Sequence, residues 1–474
     1  MTTIFFTSFY GFISRNIFNT DVLGVLKQRG DVRAVIFVPF YKKSFFDAHY
    51  AGDNVIIEPI DTAIVVGSRR NQFFATLFTW LLRSFTLEYR KKERLSRERT
   101  VRGYCFYGLS RTITALFGRS RAAHAAARAV ERRICPTSAF QQYFDRYQPR
   151  AVFATDLFHD MDAALLRESK ARGVTTIGMV RSWDNNTTRG LCRVLPDRAV
   201  VNNPIIADEL VELQEMARDR IFVGGIPQFD RYVLARRTSR KEFFARIGAD
   251  PAKRLVLFAP AGEQLSDADE QVMEMLAAAV ATARLPADLQ FLVRMHPGCP
   301  ASLERFAANP LFRIEAPGVR FPERIKDTEL TPADAEHLAD SLYYSEVVIH
   351  VSSSLGLDAV MFDKPQIMIE FDGWEKKPYL QSVKRYHDED HMKRFIDTGV
   401  AHIAESFDDL VAAINAYLDD PRLDSQGRAR GREQQCWRVD GRSGARIGQF
   451  VVETLGLPAP APQATPEPAA AWRE

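Results

Sequence analysis

Cysteine is sparse in this chain. The five cysteines, Cys105, Cys135, Cys192, Cys299 and Cys436, are scattered and form no CxxC pair. That spacing argues against a zinc ribbon or a disulfide framework and points to a reducing compartment. Long apolar runs are also missing. No stretch reaches the roughly 18 uncharged apolar residues of a membrane-spanning helix. The segment from Met1 to Asn19 lacks a basic start and a small-residue cleavage site, so it reads as a first strand and not a signal peptide. Neither GxGxxG nor GxxxxGK[ST] occurs, which disfavours an NAD dehydrogenase and a P-loop NTPase. Strong net charge is lacking too. The balance is +3, so a generic nucleic-acid binder is not expected.

What remains is an ordinary globular composition spread over 474 residues. That length exceeds one hydrophobic core and suggests two or three domains. Short apolar runs alternate with helical spacings. Thr3 to Phe9, Val32 to Phe40 and Asn54 to Ile60 read as buried strands, with a helix from Thr20 to Arg29 stopped by Gly30. The winding resumes with strands at Arg150–Asp156, Thr175–Val180, Arg198–Val201 and Arg220–Gly225. A second alternating series begins at Arg254, with strands at Leu255–Pro260, Gln290–Met295, Glu346–Val351 and Pro365–Ile369. This pattern predicts an α/β protein of two parallel, doubly wound units. Residues 1–235 form the first domain, 236–456 the second, and 457–474 a Pro/Ala-rich disordered tail.

Residues 71–133 break the winding. Phe73, Phe74, Leu77, Phe78, Trp80, Leu81, Leu82 and Phe85 crowd together, and Arg90, Lys91, Lys92, Arg94, Arg97, Arg99 and Arg102 follow. A helical insertion is expected here. Its segment 73–102 either lies on the inner membrane surface or packs on the first domain.

In open parallel sheets, ligands bind beyond the C-terminal ends of strands. Two such ends in the second half carry phosphate-seeking groups. Arg294-Met295-His296-Pro297 offers a guanidinium fork and an imidazole. His350-Val351-Ser352-Ser353-Ser354 runs from a strand into a helix start, with Asp358 one turn in, within reach of a ribose. Serine capping of a structural helix is the plainer reading of that junction. In the first half, Arg15 follows the first strand. Asp156, His159, Asp160 and Asp162 follow the fourth. Arg181, Ser182, Trp183, Asp184 and Asn185 follow the fifth. Asp156, His159, Asp160 or Asp184 would serve as a base for a hydroxyl, or the cluster is an N-capped helix start.

With these motifs in place, the chain resembles GT-B-fold transferases of bacterial surface-polymer synthesis. It is most similar to CDP-glycerol glycerophosphotransferase-like and capsule-polysaccharide transferases. The resemblance rests on Gly224-Gly225-Ile226-Pro227-Gln228-Phe229-Asp230, on Arg294-Met295-His296-Pro297, and on Ser352-Ser353-Ser354 through Asp358 to Lys364-Pro365. It implies two Rossmann-like domains facing a cleft, without a bound metal or other cofactor. The donor, a UDP-, CDP- or GDP-linked group, would be held in the second domain by Arg294, His296, Ser352, Ser353, Ser354 and Asp358, with Gly225 and Pro227. The acceptor, a glycan or lipid-linked molecule, would lie in the first domain on Arg15, Arg181, Trp183 and Asn185. His296, Asp156, His159 and Asp184 are the candidate catalytic groups.

Glycerophosphotransferases commonly carry Asp-Tyr before the paired serines, where this chain has His350-Val351. That departure favours a sugar over a polyol phosphate as the transferred group. The expectation is therefore a glycosyltransferase of cell-surface polysaccharide synthesis, cytoplasmic or peripheral on the inner membrane. CDP-glycerol- or ribitol-type transfer, an epimerase and a non-catalytic nucleotide-sugar-binding protein are the alternatives.

Overall fold

The run Thr-Ile-Phe-Phe-Thr at the start of the chain forms a strand whose last five residues are buried. The computed structural model describes residues 1–135, 139–234, 237–299 and 301–458. The expected disordered tail therefore lies almost wholly outside the described residues. Seven parallel strands make the first sheet: β1 (Thr2–Thr7), β2 (Val32–Pro39), β3 (Val55–Ile60), β4 (Ala151–Ala154), β5 (Thr175–Met179), β6 (Arg198–Val201) and β7 (Ile221–Val223). Their spatial order is β3-β2-β1-β4-β5-β6-β7. The order reverses between β1 and β4, which opens a crevice at the C-terminal ends of those two strands. Aromatic rings fill the sheet's faces. Phe5 meets Phe37 edge-on at 4.9 Å, and Phe6 stacks on Phe153 at 5.2 Å.

The helices follow from their caps. Thr20 caps α1 (Asp21–Lys27). The insertion is four helices, α2 (Arg69–Trp80), α3 (Phe85–Arg97), α4 (Val101–Phe117) and α5 (Arg121–Ile134). Ser68, Ser84, Thr100 and Ser120 cap them in turn, each accepting from a backbone N–H at the third residue on. The aromatic run splits across this insertion. Phe74, Phe78, Leu81 and Leu82 are buried with Leu191, whereas Phe73 and Phe85 are exposed. Buried Glu131 on α5 pairs with Arg167 at 2.6 Å, on α6 (Asp160–Ala171), and ties the insertion to the sheet's own helices. A one-turn helix, α7 (Asn185–Thr188), ends the loop after β5.

The second sheet has six parallel strands. They are β8 (Arg254–Ala259), β9 (Leu289–Arg294), β10 (Phe312–Glu315), β13 (Ser345–His350), β14 (Gln366–Ile369) and β15 (His402–Ala404). Between β10 and β13 the strands β11 (Val319–Phe321) and β12 (Arg324–Glu329) pair as an antiparallel hairpin. The sheet order is β10-β9-β8-β13-β14-β15, so this sheet reverses between β8 and β13. Val256, Phe258, Phe291, Val293, Val347, Ile349 and Ile367 form its fully buried centre. The short helix α8 (Leu355–Val360) follows β13.

The described residues divide into two compact units, one of residues 1–230 and 438–458, the other of residues 231–437. The last helix, Ser443–Thr454, therefore belongs with the first sheet, where the sequence placed it with the second domain. Small residues decide this. Gly444 and Gly448 let the helix lie against Asp21 and Val25 of α1, and Phe450 stacks on Phe222 at 4.3 Å. No helix among the described residues is long and apolar enough to cross a membrane.

Candidate functional site

The crevice of the first sheet gathers a buried polar cluster. Thr7 ends β1, and its hydroxyl donates to Asp162 at 2.5 Å. Thr155 follows β4 and lies 3.0 Å from Thr7, hydroxyl to hydroxyl. Asp156 is next, with Oδ2 3.0 Å from Arg181 Nε. Burial alone would raise the Asp156 pKa, but the cations Arg181 and Arg189 and the ring of His159 bring it below the usual carboxylate range. The Arg181 guanidinium also lies 4.3 Å over the Tyr10 ring, with Arg189 at 5.9 Å from the same ring. His159 is the N-cap of α6, where Nδ1 accepts from Met161 N–H at 3.2 Å. Burial would lower its pKa, but Asp162, Asp156 and Asp160 raise it above the ordinary imidazole value.

These contacts sort the expected acceptor-side residues. Asp156 is buried and held ionised by Arg181, so it is a poor proton acceptor. His159 caps α6 only through a neutral Nδ1, and the charged form that its carboxylate neighbours favour would give that cap up. Asp160 pairs with Arg193 at 2.5 Å. Trp183 is buried at 8 % exposure and anchors its loop instead of offering a stacking face. Asn185 was expected to touch an acceptor, but it is fully buried, and both atoms of its amide lack a hydrogen-bond partner among the described residues. Arg15 is half-buried in the turn after β1, Ser14–Phe18. Asp184 is half-buried at the start of α7, with Oδ2 accepting from Thr188 Oγ1 at 3.0 Å.

The second sheet's switch point lies between β8 and β13, and the serine run sits at its lip. Ser353 Oγ accepts from Leu355 N–H at 3.2 Å and starts α8. That local turn uses one serine, and Ser354, the N-cap residue, makes no side-chain cap. Among the described residues, no acceptor meets the backbone N–H groups of Ser352, Ser353 and Ser354, and no partner meets the hydroxyls of Ser352 and Ser354. Three consecutive N–H groups and two hydroxyls at a strand end form an anion-seeking concavity.

His296 follows β9, the strand next to β8. Its ring is exposed, and Nδ1 accepts from Gly298 N–H at 3.1 Å. An Nδ1 that accepts from a backbone N–H belongs to a neutral ring. A neutral ring accepting at Nδ1 carries its proton on Nε2.

Three donor-side expectations are corrected. Arg294 is not an open phosphate fork, because its guanidinium is buried against Glu315. His337 meets the same carboxylate at 2.5 Å. Asp358 is buried at 3 % exposure and accepts from the Tyr232 hydroxyl at 2.5 Å, so it braces α8 and is closed to a ribose. Gly225 and Pro227 close the first unit. Gly225 has φ +95° and lies against Ser443, and Asp230 accepts from Ser443 and Gly444 N–H at 3.0 and 2.7 Å. That Gly-Gly-Ile-Pro turn fastens the last helix.

Several residues were passed over in the sequence. Thr7 and Thr155 gave a faint signal, a hydroxyl at the end of each apolar strand. Glu315, His337 and Arg189 gave none, since their partners are distant in sequence. Beyond β14, His387 donates from Nε2 to Val351 C=O at 2.8 Å and fixes the strand end that leads into the serines.

The family model described as CDP-glycerol:poly(glycerophosphate) glycerophosphotransferase matches residues 183–453. A comparison with curated proteins returns no match. Among solved structures, the S. aureus MnaA–UDP co-structure aligns over 98% of this chain and 100% of its own, at 13% identity and a TM-score of 0.54. A putative UDP-N-acetylglucosamine 2-epimerase from Listeria monocytogenes aligns over 96% of both chains, at 11% identity and a TM-score of 0.56. The wall teichoic acid polymerase TagF, soaked with CDPG, aligns over 96% of this chain and 89% of its own, at 10% identity and a TM-score of 0.51. At such identities the likeness is one of fold: two Rossmann-like domains of the GT-B kind.

Proposed function

The chain belongs to the CDP-glycerol:poly(glycerophosphate) glycerophosphotransferase family, and from that membership we propose that it moves a polyol phosphate from a CDP-linked polyol to a hydroxyl of a surface-polymer acceptor. The acceptor oxygen attacks the β-phosphorus and the bond from that phosphorus to the bridging oxygen breaks. CMP leaves with the electron pair, and the acceptor's proton passes to a general base as the new P–O bond forms. Negative charge grows on the CMP phosphate as it departs. The N–H groups of Ser352–Ser354, the Ser352 and Ser354 hydroxyls and His296 Nε2–H are suited to stabilise that charge. Arg294 acts as a positioning residue, holding the end of β9 through Glu315.

The observation that carries this reading is the row of unmatched donors at Ser352–Ser354, at the switch point of a sheet inside the matched region. The sequence departure at His350-Val351 no longer weighs against a polyol phosphate. His350 is fully buried and its Nε2 lies 3.1 Å from Gln366 Oε1, so the position faces the core and away from a ligand. Sugar transfer remains the second reading, because the Ser352–Ser354 donors would stabilise a departing UDP or GDP as well as CMP. The purified chain is incubated with CDP-glycerol, and separately with UDP- and GDP-sugars, in the presence of a membrane-extract acceptor. CMP release from CDP-glycerol is expected. UDP or GDP release, with CDP-glycerol left intact, would overturn polyol transfer in favour of sugar transfer.

A further inference from the structure

The peptide that joins Val351 to Ser352 carries the first N–H of the serine turn. A trans peptide is planar, so its C=O and N–H point opposite ways, and fixing one aims the other. His387 fixes the Val351 carbonyl, to which its Nε2 donates at 2.8 Å. His387 ends a one-turn helix, Lys384–His387, and is buried at 5 % exposure. Its Nδ1 lies 3.5 Å from Oε1 of Glu370. Carbonyl and carboxylate both accept, so the ring is clamped between two acceptors.

Glu370 is itself held. It follows β14 directly, and its N–H donates to the Ala404 C=O of β15 at 2.8 Å. Its Oε2 accepts from Lys384 Nζ at 2.8 Å. His387 and Lys384 keep its carboxyl below the usual carboxylate range, against the pull of burial. A line of polar groups therefore runs from Glu370 through the His387 ring and the Val351 carbonyl to the Ser352 N–H. That N–H meets no acceptor among the described residues. Groups bonded in such a line polarise one another. Negative charge arriving at the Ser352 N–H raises the charge on the Val351 oxygen, and the bond from His387 strengthens in step.

We propose that His387, backed by Glu370, is a positioning residue for the transfer, aiming and polarising the Ser352 N–H toward the phosphate that leaves. This role rests on the serine turn being the donor's phosphate site. His387 acts through the Val351–Ser352 peptide and touches no substrate atom. Charge on the leaving phosphate grows in the transition state, so loss of His387 falls on kcat more than on KM.

The test is steady-state CMP release from CDP-glycerol by the full chain and three variants. His387→Phe keeps a ring and loses the donor. It should lower kcat about tenfold, short of the loss of a direct donor, with KM for CDP-glycerol within about threefold. His387→Gln keeps an amide N–H for the Val351 carbonyl and should recover most of the rate. Glu370→Gln, of the same size, should lower kcat about threefold and decides the matter where His387→Phe does not fold. Equal losses in His387→Phe and His387→Gln overturn the inference, because a packing residue behaves that way. An unchanged kcat in well-folded His387→Phe or in Glu370→Gln overturns it too. Release of UDP or GDP in place of CMP moves the same comparison to that nucleotide, and polyol transfer alone falls. With no turnover of any donor, the comparison is read in calorimetric CDP affinity. Binding about fivefold weaker in His387→Phe and restored in His387→Gln then supports the aiming role. Equal affinity in all three proteins, or no binding to the natural chain, overturns it.

Discussion

Arg181 and Asp156 are both nearly buried, and each is the other's main charge partner. Removing one leaves an uncompensated buried charge, which costs about 3–5 kcal/mol. Arg181→Met should therefore lower stability by that order in urea unfolding, although the lost side chain is wholly polar at its tip. A second expectation concerns pH. Burial holds the His350 pKa down at about 4, against 6.5 for an unfolded ring. Between those values the unfolded chain binds the proton and the native one does not. Stability contributed by the neutral ring is thus present above pH 6.5 and lost as pH falls toward 4, by roughly 3 kcal/mol. Asp230 and Asp269, pushed up to about 6 by burial, run the opposite way and favour the native state as pH falls. The His350 effect is therefore read as a difference. The stability gap between the natural chain and His350→Gln should narrow by about that amount from pH 7 to pH 4. A gap that stays constant contradicts the assignment. At the reacting centre, His296→Ala should lower kcat by about 10²–10³ if Nε2–H stabilises the leaving phosphate. Steady-state CMP release with an unchanged Tm is the check.

Elements were more legible than residues, and for a physical reason. A central strand of a parallel sheet is buried on both faces, so its sequence is a continuous apolar run. Ile-Phe-Phe in β1 and Leu-Val-Leu-Phe in β8 announce themselves that way. The edge strands of the second sheet do not. β10 reads Phe-Arg-Ile-Glu with one residue fully buried, and β15 is three residues long. The sequence predicted neither. The insertion was legible as helical, but its division into four helices lay in the serine and threonine caps, which the dense aromatic and basic content overshadowed. The last helix was read as an element and assigned to the wrong unit. Its glycines carry that information only once α1 is seen across from them. A Cβ on Gly448 would stand 2.8 Å from Val25 Cβ. Gly448→Val should therefore overpack this contact and cost about 1–3 kcal/mol in urea unfolding. A neutral result would mean that the helix is not held where the structure shows it.

At the scale of the molecule, two sheets of the same winding each present their switch point as a site, but they do so differently. The first fills its crevice with ion pairs and hydroxyls already bonded to one another. The second leaves three N–H groups and two hydroxyls unmatched among the described residues. The strand-end motifs pointed to both places, and the serine run was legible because three hydroxyls exceed what one cap uses. Roles were less legible. Arg294 and Asp358 have side chains suited to phosphate and ribose, and only the fold shows that Glu315 and Tyr232 occupy them. The central claim is that a CDP-linked donor rests its diphosphate on the serine turn. Calorimetric titration of CDP-glycerol into the natural chain and into the Ser352→Ala, Ser354→Ala, His296→Ala triple variant tests it most directly. Binding to the natural chain and at least a tenfold weaker affinity in the variant, at an unchanged Tm, are expected. Equal affinity in the two proteins would contradict it.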